Sequence, residues 1–175
     1  VRRAATADDL ARVLRLKSGC YTVERPLQLG ATLAGAEDDV LKALSRYGGA
    51  LGEAFQLRDD LLGMFGDPAD VGKPVGGDLV EGKLTFIIHH ALQAASPAQK
   101  AEIHDVLGNR ELPPDQVAHA CVILEELGAR TAVQEMIDQR LGIARTALDG
   151  VSHRLEPQGH QVLDGLIGYL GDRRS

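Results

Sequence analysis

Along nearly the whole chain, apolar residues recur at the three-and-four spacing of a buried helix face. No stretch shows the sustained period-two alternation of a half-buried strand. That pattern restricts the fold class to all-α. Aromatic residues agree with it: 3 Phe, 3 Tyr and no Trp are too few for the packed faces of a β-sandwich or for a base-stacking surface. The net charge of −6 gives no general attraction to phosphate backbones, so nucleic acid is not an expected partner and any bound anion must be held by a local cluster. At 175 residues the chain is one domain or a large piece of a bigger one, with enough interior to need no staple. It starts at Val1, followed by Arg2 and Arg3 with no initiator Met, as expected of a piece of a longer chain. Cys20 and Cys121 have neither metal-ligand nor disulfide-framework spacing and are expected to pack as small apolar side chains. No apolar run reaches the ~18 residues of a membrane span and no signal-peptide pattern opens the chain, so a cytoplasmic setting is expected.

The punctuation divides this pattern into helices. Thr6 and Asp9 form a capping-box pair before Leu10, Val13, Leu14 and Leu16, in a helix expected to end near Gly19. Pro26 kinks or restarts the chain ahead of Leu27, Leu29 and Leu33. A long helix is predicted from about Glu37 to Phe65, with Val40, Leu41, Leu44, Tyr47, Leu51, Phe55, Leu61 and Leu62 as core candidates and Asp38-Asp39 suiting its N-terminal dipole. Gly48, Gly49 and Gly52 interrupt that helix at ~1 kcal/mol each relative to Ala. Either a close approach by another helix or a substrate, or a simple kink, accounts for them. Residues 66–82 read as a loop rich in Gly and Pro. Helical periodicity resumes at Leu84, Phe86, Ile87, Ile88, Ala91 and Leu92. Ser96-Pro97-Ala98-Gln99 then opens a helix ended by Gly108, and Pro113-Pro114-Asp115 opens one ended by Gly128. Helices near 129–149 and 158–170 complete the count. In His89-His90, neighbouring side chains project ~100° apart on a helix, so one partly buried and one exposed ring is expected rather than a metal pair.

The chemistry gathers around Gln56-Leu57-Arg58-Asp59-Asp60 and the loop behind it. Asp59 and Asp60 lie three and four residues after Gln56, so the three side chains can share one helix flank. Adjacent carboxylates repel one another, and a divalent cation is the simplest offset. Mg²⁺ suits such a pair, because it takes a few carboxylate oxygens together with water and substrate phosphates. The loop supplies cations: Lys73 between Gly72 and Pro74, and Lys83 after Gly82, with Asp78 between them. Lysines on a glycine-rich backbone can approach a diphosphate closely, and Mg²⁺ would bridge it to the acids.

The run GEAFQLRDDLLGMFGDPADVGKPVGGDLVEGKLT, with Lys17-Ser18-Gly19 upstream, resembles the second aspartate-rich region of the trans-isoprenyl diphosphate synthases, or polyprenyl synthetases. Farnesyl and geranylgeranyl diphosphate synthases belong to this family. The resemblance covers about residues 17–85 and implies an isoprenoid-synthase-type helical bundle, with residues 1–175 forming the C-terminal part of one domain. It implies that Asp59 binds Mg²⁺ directly, while Asp60 and Asp78 hold metal-bound waters or the lysines. Lys17 and Lys73 would contact the allylic diphosphate, with Lys83 supporting them. Gln56, the Lys17 carbonyl and the Ser18 hydroxyl would stabilise the allylic carbocation. The implied reaction joins isopentenyl diphosphate to an allylic diphosphate, giving a longer trans-polyprenyl diphosphate, in an apolar bundle with its charge gathered at one end. A homodimer is a candidate assembly on the same ground.

Three departures shape this expectation. The family pattern often reads DDxxD, but its fifth position here is Gly63. The family's Lys-Thr element is Lys-Ser, which keeps the hydroxyl. No first aspartate-rich motif with neighbouring arginines precedes Lys17; Asp8-Asp9 continues instead into LARVL. The chain therefore reads as the C-terminal half or so of a synthase, and the 175 residues alone are expected to show no turnover. The alternatives are a non-catalytic partner subunit of a heteromeric synthase and a terpene cyclase of the same fold. Retention of Lys17, Gln56, Asp59, Lys73 and Lys83 weighs against the former, and the Gly-Lys loop against the latter.

Overall fold

The computed structural model describes residues 6–66 and 75–172, and Lys73, Arg173 and Arg174 lie outside them. Every regular element among the described residues is helical. Thr6 and Asp9 exchange capping hydrogen bonds at the start of α1 (Ala7–Leu14): the Thr6 amide donates to Asp9 at 3.0 Å and the Asp9 amide to Thr6 Oγ1 at 3.2 Å. The expected end near Gly19 is absent. The chain passes instead into a π-helical segment, Arg15–Glu24, and then directly into α2 (Arg25–Leu33). Pro26 stands in the first turn of α2, where a missing N–H removes no bond that an α-helix would make. Proline therefore restarts the chain here without ending its helical course.

The long helix α3 (Asp38–Phe65) is continuous through Gly48, Gly49 and Gly52. Close approach explains two of them. A Cβ on Gly48 would stand 2.7 Å from the Glu24 Cα, and one on Gly52 would stand 2.4 Å from the Ser18 carbonyl oxygen. The π-helical backbone thus lies against a notch in α3 that only glycine leaves open.

Next come the single-turn α4 (Gly77–Val80) within the expected loop, α5 (Phe86–Ala94), α6 (Pro97–Val106), α7 (Pro114–Glu126), α8 (Ala129–Asp149), a 3₁₀ turn (Ser152–Arg154) and α9 (Pro157–Asp172). Ser96 and Gln99 form the expected capping box on α6. Gly108 and Gly128 take left-handed φ values of 80° and 76° beyond α6 and α7, where a side chain would strain the backbone.

The chain forms two compact units. One contains Leu57–Glu135 with the start of α1; the other contains Ala11–Gln56 with the chain from Met136. In the second unit, Val40, Leu44 and Val151 form a cluster flanked by Ala31, Ala36, Ala43, Leu155 and Leu163, and the buried Tyr47 hydroxyl donates to the Leu163 carbonyl at 2.7 Å. In the first, Leu57, Leu61, Met64, Ile87, Ile88, Ile103 and Leu124 are buried, and the Cys121 thiol meets the Met64 carbonyl at 3.6 Å. Burial pushes that thiol up to about 11, which keeps it protonated and packed as expected. Cys20 is only half-buried.

Several expected core residues are exposed. Phe55, Leu84, Val13, Leu16, Leu29 and Leu33 all face outward, the last at 82% exposure. A charged side chain is buried instead: Arg58 is 1% exposed and donates to Gln134 Oε1 at 2.7 Å. A guanidinium can be buried when it finds such an acceptor. No helix among the described residues is long and apolar enough to cross a membrane.

Candidate functional site

In the second unit, the π-helical segment and α3 bring together Ser18 and Gln56, which lie 38 residues apart in sequence. Ser18 is 3% exposed, and its Oγ donates to Gln56 Oε1 at 2.9 Å. The serine proton is thereby turned toward the amide, leaving the oxygen's lone pairs as a fixed negative end. Lys17 is exposed, and its carbonyl accepts the Thr22 hydroxyl at 3.2 Å. Thr22 lies five residues on, a partner that only the π-helical course brings into reach.

Behind Ser18 sits a buried acid, Glu24, which the sequence reading did not single out. Its Oε1 accepts the Ser45 hydroxyl at 2.5 Å, and its Oε2 pairs with Arg15 at 2.8 Å. Arg15 also reaches Glu53 at 3.8 Å, and Arg140 pairs with Glu53 at 2.6 Å. Burial acts to raise the Glu24 pKa, but the hydrogen bonds from Ser45 and Cys20 and the charges of Arg15 and Arg25 outweigh it and hold the carboxyl below its usual range. The Cys20 thiol is pushed up by burial and by its hydrogen bond to Glu24.

In the first unit, Asp59 and Asp60 are half-buried on the last turns of α3, and Asp78 is buried on α4. Lys83 holds Asp78 at 2.5 Å and Glu81 at 2.9 Å. These hydrogen bonds raise the Lys83 pKa and keep the ammonium charged. The Asp78 carboxylate lies over Gly63, the position that lacks the family's acid: a Cβ there would stand 2.7 Å from one of its oxygens. His89 is half-buried and His90 exposed, as their helical geometry predicted. No group of three or more His, Cys, Asp or Glu side chains among the described residues could hold a metal. Asp59 and Asp60 still suit Mg²⁺, which takes one or two carboxylates and fills its remaining positions with water and phosphate oxygens.

The polyprenyl synthetase family profile matches residues 2–124, a stretch that contains every one of these motif positions. The chain belongs to the polyprenyl synthetase family. It is 32% identical over 165 residues to the geranylfarnesyl diphosphate synthase of Aeropyrum pernix, a match spanning 94% of this chain and 50% of that protein. It is 29% identical over 147 residues to heptaprenyl diphosphate synthase component 2 of Bacillus subtilis, spanning 84% of this chain and 40% of that one. The crystal structure of geranylgeranyl pyrophosphate synthase from Corynebacterium glutamicum, complexed with isoprenyl diphosphate and magnesium, superposes with a TM-score of 0.89. It is 37% identical and covers 97% of this chain and 47% of that one. The all-α isoprenoid synthase fold is thus shared, and the chain spans about half the length of these polyprenyl synthetases.

Proposed function

We propose that this chain is the C-terminal portion of a trans-prenyltransferase, which condenses an allylic diphosphate with isopentenyl diphosphate. The hydrogen bond from Ser18 to Gln56 carries the reading. A hydroxyl and an amide, fixed on each other in a buried setting, present a preorganised dipole to a developing carbocation without reorganising during the reaction. The Lys17 carbonyl would add a second negative end. Lys17 and Lys73 would bind the diphosphate, with Lys83, held by Asp78 and Glu81, supporting them.

Asp59 would hold Mg²⁺, with Asp60 and Asp78 placing its water ligands or the lysines. The metal, when bound, neutralises the diphosphate and makes it a better leaving group. An apolar surrounding would keep water from the cation and orient the prenyl tail. Gly63 leaves one carboxylate fewer than the DDxxD pattern, so metal retention is expected to be weaker than in members that carry it.

The 175 residues alone should bind inorganic pyrophosphate in the presence of Mg²⁺, measured by titration calorimetry, and should form no product from radiolabelled isopentenyl diphosphate. Loss of pyrophosphate binding would sink the diphosphate assignment; product from the chain alone would sink the incomplete-enzyme reading. The named likeness to a component of a heteromeric heptaprenyl synthase favours one further reading, a partner subunit. A purely structural partner has no use for the Ser18–Gln56 pair, so a Gln56→Ala chain that still supports full turnover in the assembled enzyme would favour that reading.

A further inference from the structure

A π-helical course has looser winding and poorer hydrogen-bond geometry than an α-helix, so ten residues of it, Arg15–Glu24, need something outside the segment to hold them. The glycine notch in α3 admits the segment but exerts no pull on it. The pull comes from Glu24. Glu24 is 4% exposed and is the last residue of the π-helical segment. One oxygen accepts the Ser45 hydroxyl from α3, and the other forms an ion pair, without a hydrogen bond, with Arg15 at the first residue of the same segment. The two ends of the segment are thus closed on each other and tied to α3 through a single side chain. Ser18 and the Lys17 carbonyl lie between those ends.

We propose that Glu24 is a positioning residue: its hydrogen bond from Ser45 and its ion pair with Arg15 hold the π-helical segment in the register that lays Ser18 on Gln56. The role assigned to that contact rests on the prenyltransferase reading, whereas the tie itself rests on geometry alone. Without both contacts, the segment can relax toward tighter α-helical winding, which turns Ser18 away from α3 and exposes it.

The test uses a thiol at position 18. In the 175-residue chain carrying Ser18→Cys and Cys20→Ser, the second change keeps a hydroxyl near Glu24, and the buried Cys121 reacts slowly. Adding Glu24→Ala should speed labelling of Cys at position 18 by Ellman's reagent about tenfold or more, because local opening sets the rate at a buried thiol. Glu24→Gln keeps the shape and an acceptor for Ser45, and should label within about threefold of the parent. The thermal midpoint identifies global unfolding, which would speed labelling of Cys121 as well.

Equal labelling in folded Glu24→Ala and parent chains would overturn the proposal. Should Glu24→Ala fail to fold, Ser45→Ala removes only the hydroxyl and should still speed labelling several-fold; an unchanged rate there would overturn the proposal too. Absence of Mg²⁺-dependent pyrophosphate binding by the unmutated chain counts against the prenyltransferase reading alone, and the labelling ratio decides on Glu24 either way.

Discussion

The carboxylate of Asp78 occupies the space directly over Gly63: a Cβ on that glycine would lie 2.7 Å and 3.0 Å from its two oxygens. Both distances are too short for unmoved neighbours. Gly63→Ala should therefore displace Asp78 from Lys83 and destabilise the protein by about 1–3 kcal/mol, even though alanine favours the helix by about 1 kcal/mol. Adding Asp78→Ala removes the obstruction. A double-mutant cycle on chemical denaturation should then show a coupling of about 1 kcal/mol or more. Additive effects would show that the two positions do not compete for one space.

Gly49 and Gly52 of α3 should separate by what they face. A Cβ on Gly52 meets the Ser18 carbonyl, which is backbone, whereas one on Gly49 meets the end of the Arg15 side chain. Backbone cannot step aside without moving the π-helical segment, so Gly52→Ala should destabilise by about 1–3 kcal/mol. Arg15 can swing away, and Gly49→Ala should be near neutral as the helix gain of about 1 kcal/mol offsets a disturbed ion pair. Thermal melts of the two variants, compared side by side, check the order.

The helices were largely readable because each carries local signals that the fold does not override. Ser96 and Gln99 mark the start of α6, and Pro113-Pro114 that of α7. The apolar period of α3 runs through its glycines. The π-helical segment was not readable, since nothing in a run such as RLKSGCYTVE distinguishes five-residue from four-residue hydrogen bonding. The notch that admits it lies on α3, more than 20 positions away. Arg58 was hidden for the same reason: an inward guanidinium depends on Gln134, 76 residues on, and pattern alone assigns arginine to the surface. At the site, residue types pointed to Gln56, Asp78 and Lys83 and the family resemblance to Ser18, but only the folded chain shows Ser18 on Gln56 and Asp78 on Lys83. Glu24 carried no such signal, because an acid two residues before a proline reads as solvated.

Glu24 should also leave a trace in the pH dependence of stability. Its carboxyl is held below the usual range in the folded chain, so the unfolded chain binds the proton first as pH falls. Its contribution is therefore complete above the unfolded carboxyl pKa of about 4.3 and is lost as pH drops through the lower folded value. Thermal midpoints of the parent and of Glu24→Gln should differ most at pH 6–7 and converge as pH falls below about 4. A gap that stays constant over this range would exclude a folded-state preference for the ionised acid.

Asp59 provides the sharpest test of the proposed chemistry, because a conservative change removes its charge and little else. Asp59→Asn keeps the size of the side chain on α3 and one acceptor oxygen, so the fold should be preserved, with a thermal midpoint close to that of the parent. If the carboxylate holds Mg²⁺ against a diphosphate, the variant should lose Mg²⁺-dependent pyrophosphate affinity by about tenfold or more, each 1.4 kcal/mol being a factor of ten. Pyrophosphate binding without the metal, which depends on the lysines, should change much less. That split separates a metal ligand from a general electrostatic contribution: removing an acid from a site that binds anions through lysines alone would tighten pyrophosphate rather than weaken it. A calorimetric titration in which Asp59→Asn binds pyrophosphate more tightly, with Mg²⁺ as well as without, would remove Asp59 from the metal's ligand set.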